Sequence, residues 1–407
     1  MTWNMTASNQ ERVQKASIRE PKERIRILLL LPYSLSAKHG NAIRVRKMIE
    51  NVTTAAYIPL TVDLPWVKPK DVSIPWSMVI EAAYRRVVEH QPITNLLLAE
   101  KPPSSYIEKA KGMLQRVDII QAENLWAMGA AHTLKEKSKV ATFHDVYSDR
   151  MNEVLNHFRT PSTKKNKIIQ RVRTLEQHLI EDLDATVFVS QADLERYREL
   201  GLDPPKPHII PNGVDTGIFR PIPRDTRIHM KYGLPSDKKI ILFTGSDMYQ
   251  NREAVEHFLA IVSQIADKRG DVHPVVAGEI CRYTKRVADK YTFKPSLLGW
   301  VQNLAEVYSI ADLYLAPLFS GTGTKLKILE ALACAKPLVT TSKGSAGLQG
   351  SGAYLVGDRP EELRELSLQL LDDGELSFKL AQAARGLALQ YDWAKIMSGY
   401  QGIYESV

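Results

Sequence analysis

Short apolar runs recur along this chain, each closed by small or polar residues and most followed by a longer amphipathic stretch. The first, Ile25–Leu31, is apolar except for Arg26, and Val117–Gln121, Lys139–Phe143 and Ala185–Ser190 repeat the pattern. Runs of this length with apolar residues on both faces predict strands inside a parallel sheet. Between them, Ala42–Val52, Leu125–Lys137 and Ala192–Leu200 carry helical spacing. The alternation restarts with Ile240–Thr244, Glu253–Asp267, Val272–Ala277, Ala305–Ile310 and Leu313–Ala316. Strand and helix alternating twice over predict an α/β chain built as two doubly wound parallel sheets that face each other.

Punctuation divides the pattern. Residues 1–21 are polar, lack periodicity and end at Pro21, which reads as a loose tail. Residues 55–116 are broken at tryptophans and prolines, Trp66 and Trp76 among them, with basic helical stretches such as Tyr84–His90 between the breaks. Asp203–Pro207 is proline-dense and Pro211-Asn212-Gly213 is a turn, so the expected domains are 22–211 and 212–390. A length of 407 residues suits two domains of about 200 residues each.

Composition narrows the setting. The chain is 44% hydrophobic and 25% charged, the balance of a soluble globular protein. No apolar run approaches the roughly 20 residues that cross a bilayer, and Arg24 and Arg26 stand too far into the chain to open a signal peptide. Cys281 and Cys334 cannot form a disulfide framework, so a reducing, cytoplasmic compartment is expected and the sequons at Asn4 and Asn51 are chance matches. A net charge of +8 admits anionic ligands, nucleic acid or an anionic membrane surface. Nucleic acid is set aside because no binding signature accompanies the charge.

One stretch carries the chemistry. The run Ala311–Leu318 stops at Ser320–Thr324, helix formers follow from Lys325 to Ala335, and Pro337–Thr341 is a further apolar run. Gly321 and Gly323 allow close backbone approach, and Thr322 and Thr324 offer hydroxyls. The free N–H groups of the helix start, with Lys325 and Lys327, suit a diphosphate. Cations at a helix N-terminus oppose its dipole by a few tenths of a kcal/mol, so a bound anion would offset them; a plain solvated helix start is the alternative. The loop is neither a Walker A loop nor GxGxxG. Glu330 sits between Leu329 and Ala331 with no Lys or Arg at 326 or 334, where its carboxylate could take ribose hydroxyls rather than a helix ion pair. At a strand's end, His144-Asp145 reads as metal ligands, a general base or a structural pair. Asp182-Leu183-Asp184 looks like a metal-binding DxD but leads into a strand instead of following one, so no metal site is assigned.

GTGTKLKILEALACAKPLV (Gly321–Val339) resembles the donor-binding segment of retaining GT-B glycosyltransferases of the family-four type, most closely bacterial and archaeal sugar transferases with a GxGxKxKxxEA signature. HGNAIRVRKMI (39–49), FHDV (143–146), IIPNGVDTGIFRP (209–221), FTGSDMYQNREAVEHFL (243–259) and LLGWVQNLAEVYSIADLYLAPL (297–318) continue the resemblance in family order, as does the terminal YDWAKI…IY. The resemblance implies two Rossmann-like domains about a central cleft, the first binding acceptor and the second donor, with helix 391–407 returning to the first. It implies transfer of a hexose from a nucleotide diphospho-sugar to a hydroxyl acceptor with an α-linked product. The setting would be cell-surface polysaccharide, glycolipid or glycoconjugate synthesis, with no metal or other cofactor.

By the same resemblance His144 contacts the transferred sugar, and Lys325 and Lys327 hold the leaving phosphates. Gly40, Asn41 and Arg44 form a second clamp, preceded by His39. Gly245, Ser246, Thr322, Gly323 and Thr324 line the donor, Trp300 and Val301 edge the base, and Glu330 takes the ribose. The chain departs from the family twice: the first glutamate of the usual pair falls on Thr322, and Ser246 and Asn251 stand where many relatives carry Arg and Lys. An epimerase-type enzyme or a silent nucleotide-sugar-binding module are the alternatives.

The segment 159–173 holds Arg159, Lys164, Lys165, Lys167, Arg171 and Arg173 with no acidic residue, and Ile168, Ile169 and Val172 lie among them. It reads as a solvated face or as a contact with anionic lipid on the inner face of the cell membrane, which would suit a lipid-linked acceptor.

Overall fold

A computed structural model describes residues 24–37, 40–61, 96, 99–291, 293–321, 323–348, 350 and 352–407. The expected tail, Trp66, Trp76, Tyr84–His90, His39 and Thr322 lie outside them. Strands β1 (Ile25–Leu31), β2 (Ala55–Thr61), β3 (Ile119–Glu123), β4 (Ser138–Phe143), β5 (Ala185–Phe188) and β6 (Pro207–Ile209) form one parallel sheet in the order β2-β1-β3-β4-β5-β6. A second parallel sheet is built from β7 (Lys239–Thr244), β8 (Val272–Ala277), β9 (Ser296–Leu297), β10 (Leu313–Ala316), β11 (Leu338–Thr340) and β12 (Leu355–Val356). Its order is β12-β11-β10-β7-β8-β9. Ile27–Leu31 and Ile240–Phe243 are completely buried, as strands covered by helices on both faces require. These are the two doubly wound sheets of a GT-B fold.

Each sheet reverses its winding at one place, between β1 and β3 in the first and between β7 and β10 in the second. Ligands of open α/β sheets sit beyond the strand ends at such points. Glu123 and His144 follow or end β3 and β4 there, and Gly245 and the 317–325 loop follow β7 and β10.

Strands β2 and β6 differ from the sequence expectation. Pro59 and Pro207 read as breakers, yet both strands lie on sheet edges, where a missing N–H costs no ladder bond. The basic segment lies mostly on helix Ser162–Ile180, where Val172 is completely buried and Ile168 and Ile169 pack on the N-terminal core. Its apolar residues therefore serve packing, while Lys164 and Lys167 stay exposed. Among the described residues no helix is long and apolar enough to cross a membrane.

The chain crosses between the domains twice. Val214 N donates to Tyr391 O at 2.8 Å and Trp393 N to Val214 O at 3.1 Å, so the two crossings are bonded to each other. A Cβ on Gly213 would lie 2.7 Å from Tyr391 O, which leaves room for glycine alone. Beyond the second crossing, helices Trp393–Met397 and Gly399–Tyr404 pack Trp393, Met397, Tyr400, Ile403 and Tyr404 against Ile27, Leu29, Val140 and Val187 of the first domain. Burying each such side chain contributes about 1.5–3 kcal/mol relative to exposure.

Candidate active site

On the N-terminal side the site is built from the ends of β3 and β4. His144 Nε2 lies 2.7 Å from Glu123 Oε2, and both residues are buried. Glu123 Oε1 accepts from Gln121 Nε2 at 2.9 Å and from Thr142 Oγ1 at 3.0 Å. The Tyr400 hydroxyl, returning from the C-terminus, is 2.9 Å from Thr142 Oγ1 and accepts from Arg44 at 3.2 Å. The imidazole is thus held by a carboxylate that is itself held by two donors, which fixes the ring's orientation. Sequence reading missed Glu123; the signal available was a polar pair, Gln121 and Glu123, at the end of an otherwise apolar run.

The Gly-rich loop of the second domain closes on this group. Gly323 has φ +71°, and a Cβ there would lie 2.9 Å from His144 O and 3.1 Å from Asp145 Oδ1. Asp145 in turn accepts from Arg150 at 2.6 Å. Gly40, at the start of helix Gly40–Asn51, faces Leu326 at the start of helix Leu326–Ala333, its Cβ direction meeting Leu326 Cδ1 at 3.4 Å. Two helix starts therefore meet across the cleft, and their dipoles favour an anion between them. Asn41 lies in the first turn of the first helix.

Both lysines line the same wall. Lys325 Nζ donates to Gly323 O at 2.6 Å and Gly321 O at 3.2 Å, and Lys327 Nζ donates to Asn251 Oδ1 at 2.5 Å. Lys327 Nζ also stands 4.8 Å from the Phe243 ring centroid. Burial pulls Lys325 down to about 8, and burial with the neighbouring Lys325 charge pulls Lys327 down to about 7. Asn251 Nδ2 donates to Ser246 O at 2.9 Å and Ser246 Oγ at 3.2 Å, so these two residues form an amide cradle that aims Lys327. Gly245 belongs to the same cluster: a Cβ there would lie 3.3 Å from Lys327 Nζ. Burial pushes Glu330 up to about 7 although Tyr308 OH donates to it at 3.2 Å and Lys327 lies near.

Other expected residues are placed differently. Arg44 is buried, donating to Pro211 O and Ile210 O at 2.7 Å each and to Asn212 Oδ1 at 3.1 Å. Its guanidinium ties the hinge instead of facing a diphosphate. Trp300 is 63% exposed, and Val301 packs on the C-terminal core. Thr324 is buried; its hydroxyl has no hydrogen-bond partner among the described residues, and its carbonyl accepts from Asn212 Nδ2 at 3.4 Å. Asp182 takes Lys139 Nζ at 2.5 Å, and Asp184 takes Lys139 N at 2.8 Å, both at the amino ends of β4 and β5 and not at the carboxyl ends. Glu153, on helix Tyr147–His157, reaches the Gly-rich loop without any sequence signal to announce it: its carboxylate accepts from Gly321 N at 3.0 Å and Tyr249 OH at 3.3 Å and meets Lys343 Nζ at 2.9 Å.

Comparison with known proteins finds matches to both halves of the chain. The family model described as "Glycosyltransferase Family 4" matches residues 75–217, and the one described as "Glycosyl transferases group 1" matches residues 238–373. The D-inositol 3-phosphate glycosyltransferase of Mycolicibacterium smegmatis is 26% identical over 56% of this chain and 54% of its own length. Alpha-galactosylglucosyldiacylglycerol synthase of Streptococcus pneumoniae is 20% identical over 55% of this chain and 61% of its own. The chain thus spans about half the length of the first curated relatives it matches. Among solved structures, sucrose-phosphate synthase from Thermosynechococcus elongatus aligns with a TM-score of 0.70 at 16% identity, covering 94% of this chain and 98% of that one. HepE of Anabaena in complex with UDP aligns with a TM-score of 0.68 at 14% identity, covering 94% and 100%. The chain thus carries a match to a Family 4 glycosyltransferase model in its N-terminal half and to a group 1 glycosyltransferase model in its C-terminal half, on the two sheets of a GT-B architecture.

Proposed function

We propose that the protein is a retaining glycosyltransferase that moves a hexose from a nucleotide diphospho-sugar to a hydroxyl acceptor without a bound metal. The observation that carries this reading is the pair Lys325 and Lys327, held short of full charge by burial where two helix starts meet across the cleft. A diphosphate placed there restores their charge. As the bond from the sugar's anomeric carbon to the phosphate oxygen breaks, negative charge grows on the diphosphate, and the lysines and loop amides stabilise it. The acceptor oxygen bonds to the anomeric carbon on the same face, and its proton passes to the departing phosphate oxygen. His144, oriented by Glu123, contacts the transferred sugar; Glu330 accepts the ribose hydroxyls.

The relatives' names, with an inositol phosphate in one and a diacylglycerol glycolipid in the other, support a glycolipid or glycoconjugate setting. We place the protein in the cytoplasm, peripheral to the membrane through exposed Lys164 and Lys167. A thermal-shift panel of nucleotide diphospho-sugars tests donor binding, since a ligand of the folded state raises the melting temperature. Product analysis by NMR should give the α-anomer, and turnover should survive EDTA. A β-linked product refutes retention, and loss of turnover that manganese restores refutes metal independence.

A further inference from the structure

The loop that follows β10 meets the N-terminal domain at two points. At the inner point Gly323 packs on the carbonyl of His144, a Cβ there falling 2.9 Å from that oxygen. At the outer point Gly321 N donates to Glu153 Oε2 at 3.0 Å. Gly321 has φ +97°, and a Cβ there would lie 3.3 Å from Gln250 Cγ, so glycine lets the loop take the shape that presents this N–H. Two residues of chain span at most about 7 Å, so both points lie within reach of one hexose.

The outer point supplies a group that the loop lacks. Ser320–Lys325 offer hydroxyls, backbone groups and a lysine, with no acidic side chain. A carboxylate has about four acceptor sites and suits neighbouring hydroxyls. Gly321 N, Tyr249 OH at 3.3 Å and Lys343 Nζ at 2.9 Å all approach Glu153 from the C-terminal domain, and its side chain is still 24% exposed. These donors fix the carboxylate beside the loop, with the Lys343 charge next to it. The other carboxylates at the loop are placed differently. Asp145, at the inner point, is buried and accepts from Arg150. Glu253 takes the Ser320 hydroxyl and is exposed to solvent.

We propose that Glu153 selects the transferred sugar: with the donor in place, its carboxylate accepts hydroxyl groups of the hexose at the end of the loop away from His144. The assignment rests on the glycosyltransferase reading and adds to it a sugar determinant carried by the N-terminal domain.

The test uses calorimetry on the full chain, comparing UDP and GDP with UDP-glucose, UDP-N-acetylglucosamine and GDP-mannose. The tightest nucleotide sugar and its bare nucleotide are then carried into the variants. Glu153→Gln should weaken the nucleotide sugar about tenfold and leave the bare nucleotide within about twofold, since a charged acceptor is lost to the sugar alone. Glu153→Asp should recover part of the loss. Lys343→Gln and Tyr249→Phe disturb the same contact but keep the carboxylate, so the nucleotide sugar should hold its affinity relative to the bare nucleotide; Glu253→Gln should behave likewise. A contact that only latches the domains would weaken bare nucleotide and nucleotide sugar alike, and Lys343→Gln as much as Glu153→Gln. That pattern overturns the proposal, as does an unchanged nucleotide-sugar affinity in Glu153→Gln. A wild-type protein that binds neither the bare nucleotides nor the nucleotide sugars overturns the donor reading, and the proposal with it.

Discussion

The Glu153 carboxylate of the N-terminal domain accepts the backbone N–H of Gly321 in the C-terminal domain at 3.0 Å. Lys343 and Tyr249 share that carboxylate, so one acceptor draws three donors of the facing domain toward it. The contact is half-buried and partly screened, which limits it to about 1 kcal/mol. Glu153→Ala should therefore loosen the ligand-free cleft, and small-angle scattering at low salt should report a larger radius of gyration. An unchanged radius would mean that the hinge alone sets the closure.

Lys327→Met should lower kcat about tenfold or more and donor affinity less, because the charge it opposes grows in the transition state. The lysines also set a pH dependence. With free-state values near 7 and 8, both lose charge as pH rises past neutrality, and a bound diphosphate pulls their protons back. Donor binding at pH 8 should take up protons and weaken with further rise. Calorimetry in buffers of different ionisation heat measures the uptake; none at pH 8 would separate these lysines from the diphosphate.

Glu330→Gln should weaken donor binding by about 1–3 kcal/mol, the loss of a charged acceptor to the ribose. Since burial lifts the wild-type carboxyl to about 7, acid protonates it below neutrality and should weaken the donor there. The Gln variant should lack that acid limb. Equal donor dissociation constants for the two proteins at pH 8 would remove Glu330 from the site.

Glu123→Gln keeps the shape but gives up the charge that His144, Gln121 and Thr142 face. Destabilisation of about 1–3 kcal/mol in urea, together with a reduced kcat, is the expected result. A variant with wild-type stability and turnover would show that the imidazole needs no carboxylate to hold it.

The fold was legible because most sheet strands are uninterrupted apolar runs and the helices between them keep their spacing; β2 and β6 escaped because sheet edges tolerate the prolines that normally argue against a strand. The cluster of Gly-rich loop, Lys325, Lys327 and Glu330 was legible for a local reason: its members lie within a dozen consecutive residues. Contacts made across the cleft left no such trace. Glu123 and Glu153 look like ordinary carboxylates until the sheets bring them to His144 and Gly321, and Arg44 looks like a phosphate ligand until the hinge carbonyls capture it.

The double crossing at Val214 and Asp392 sets a rule for building chimaeras. A graft that exchanged everything after Gly213 would import a foreign Tyr400, and with it a foreign neighbour for Thr142 behind His144. The C-terminal domain can be exchanged without disturbing that contact only as an inner cassette, cut at the hinge and again before Trp393, with the recipient keeping its own final turns.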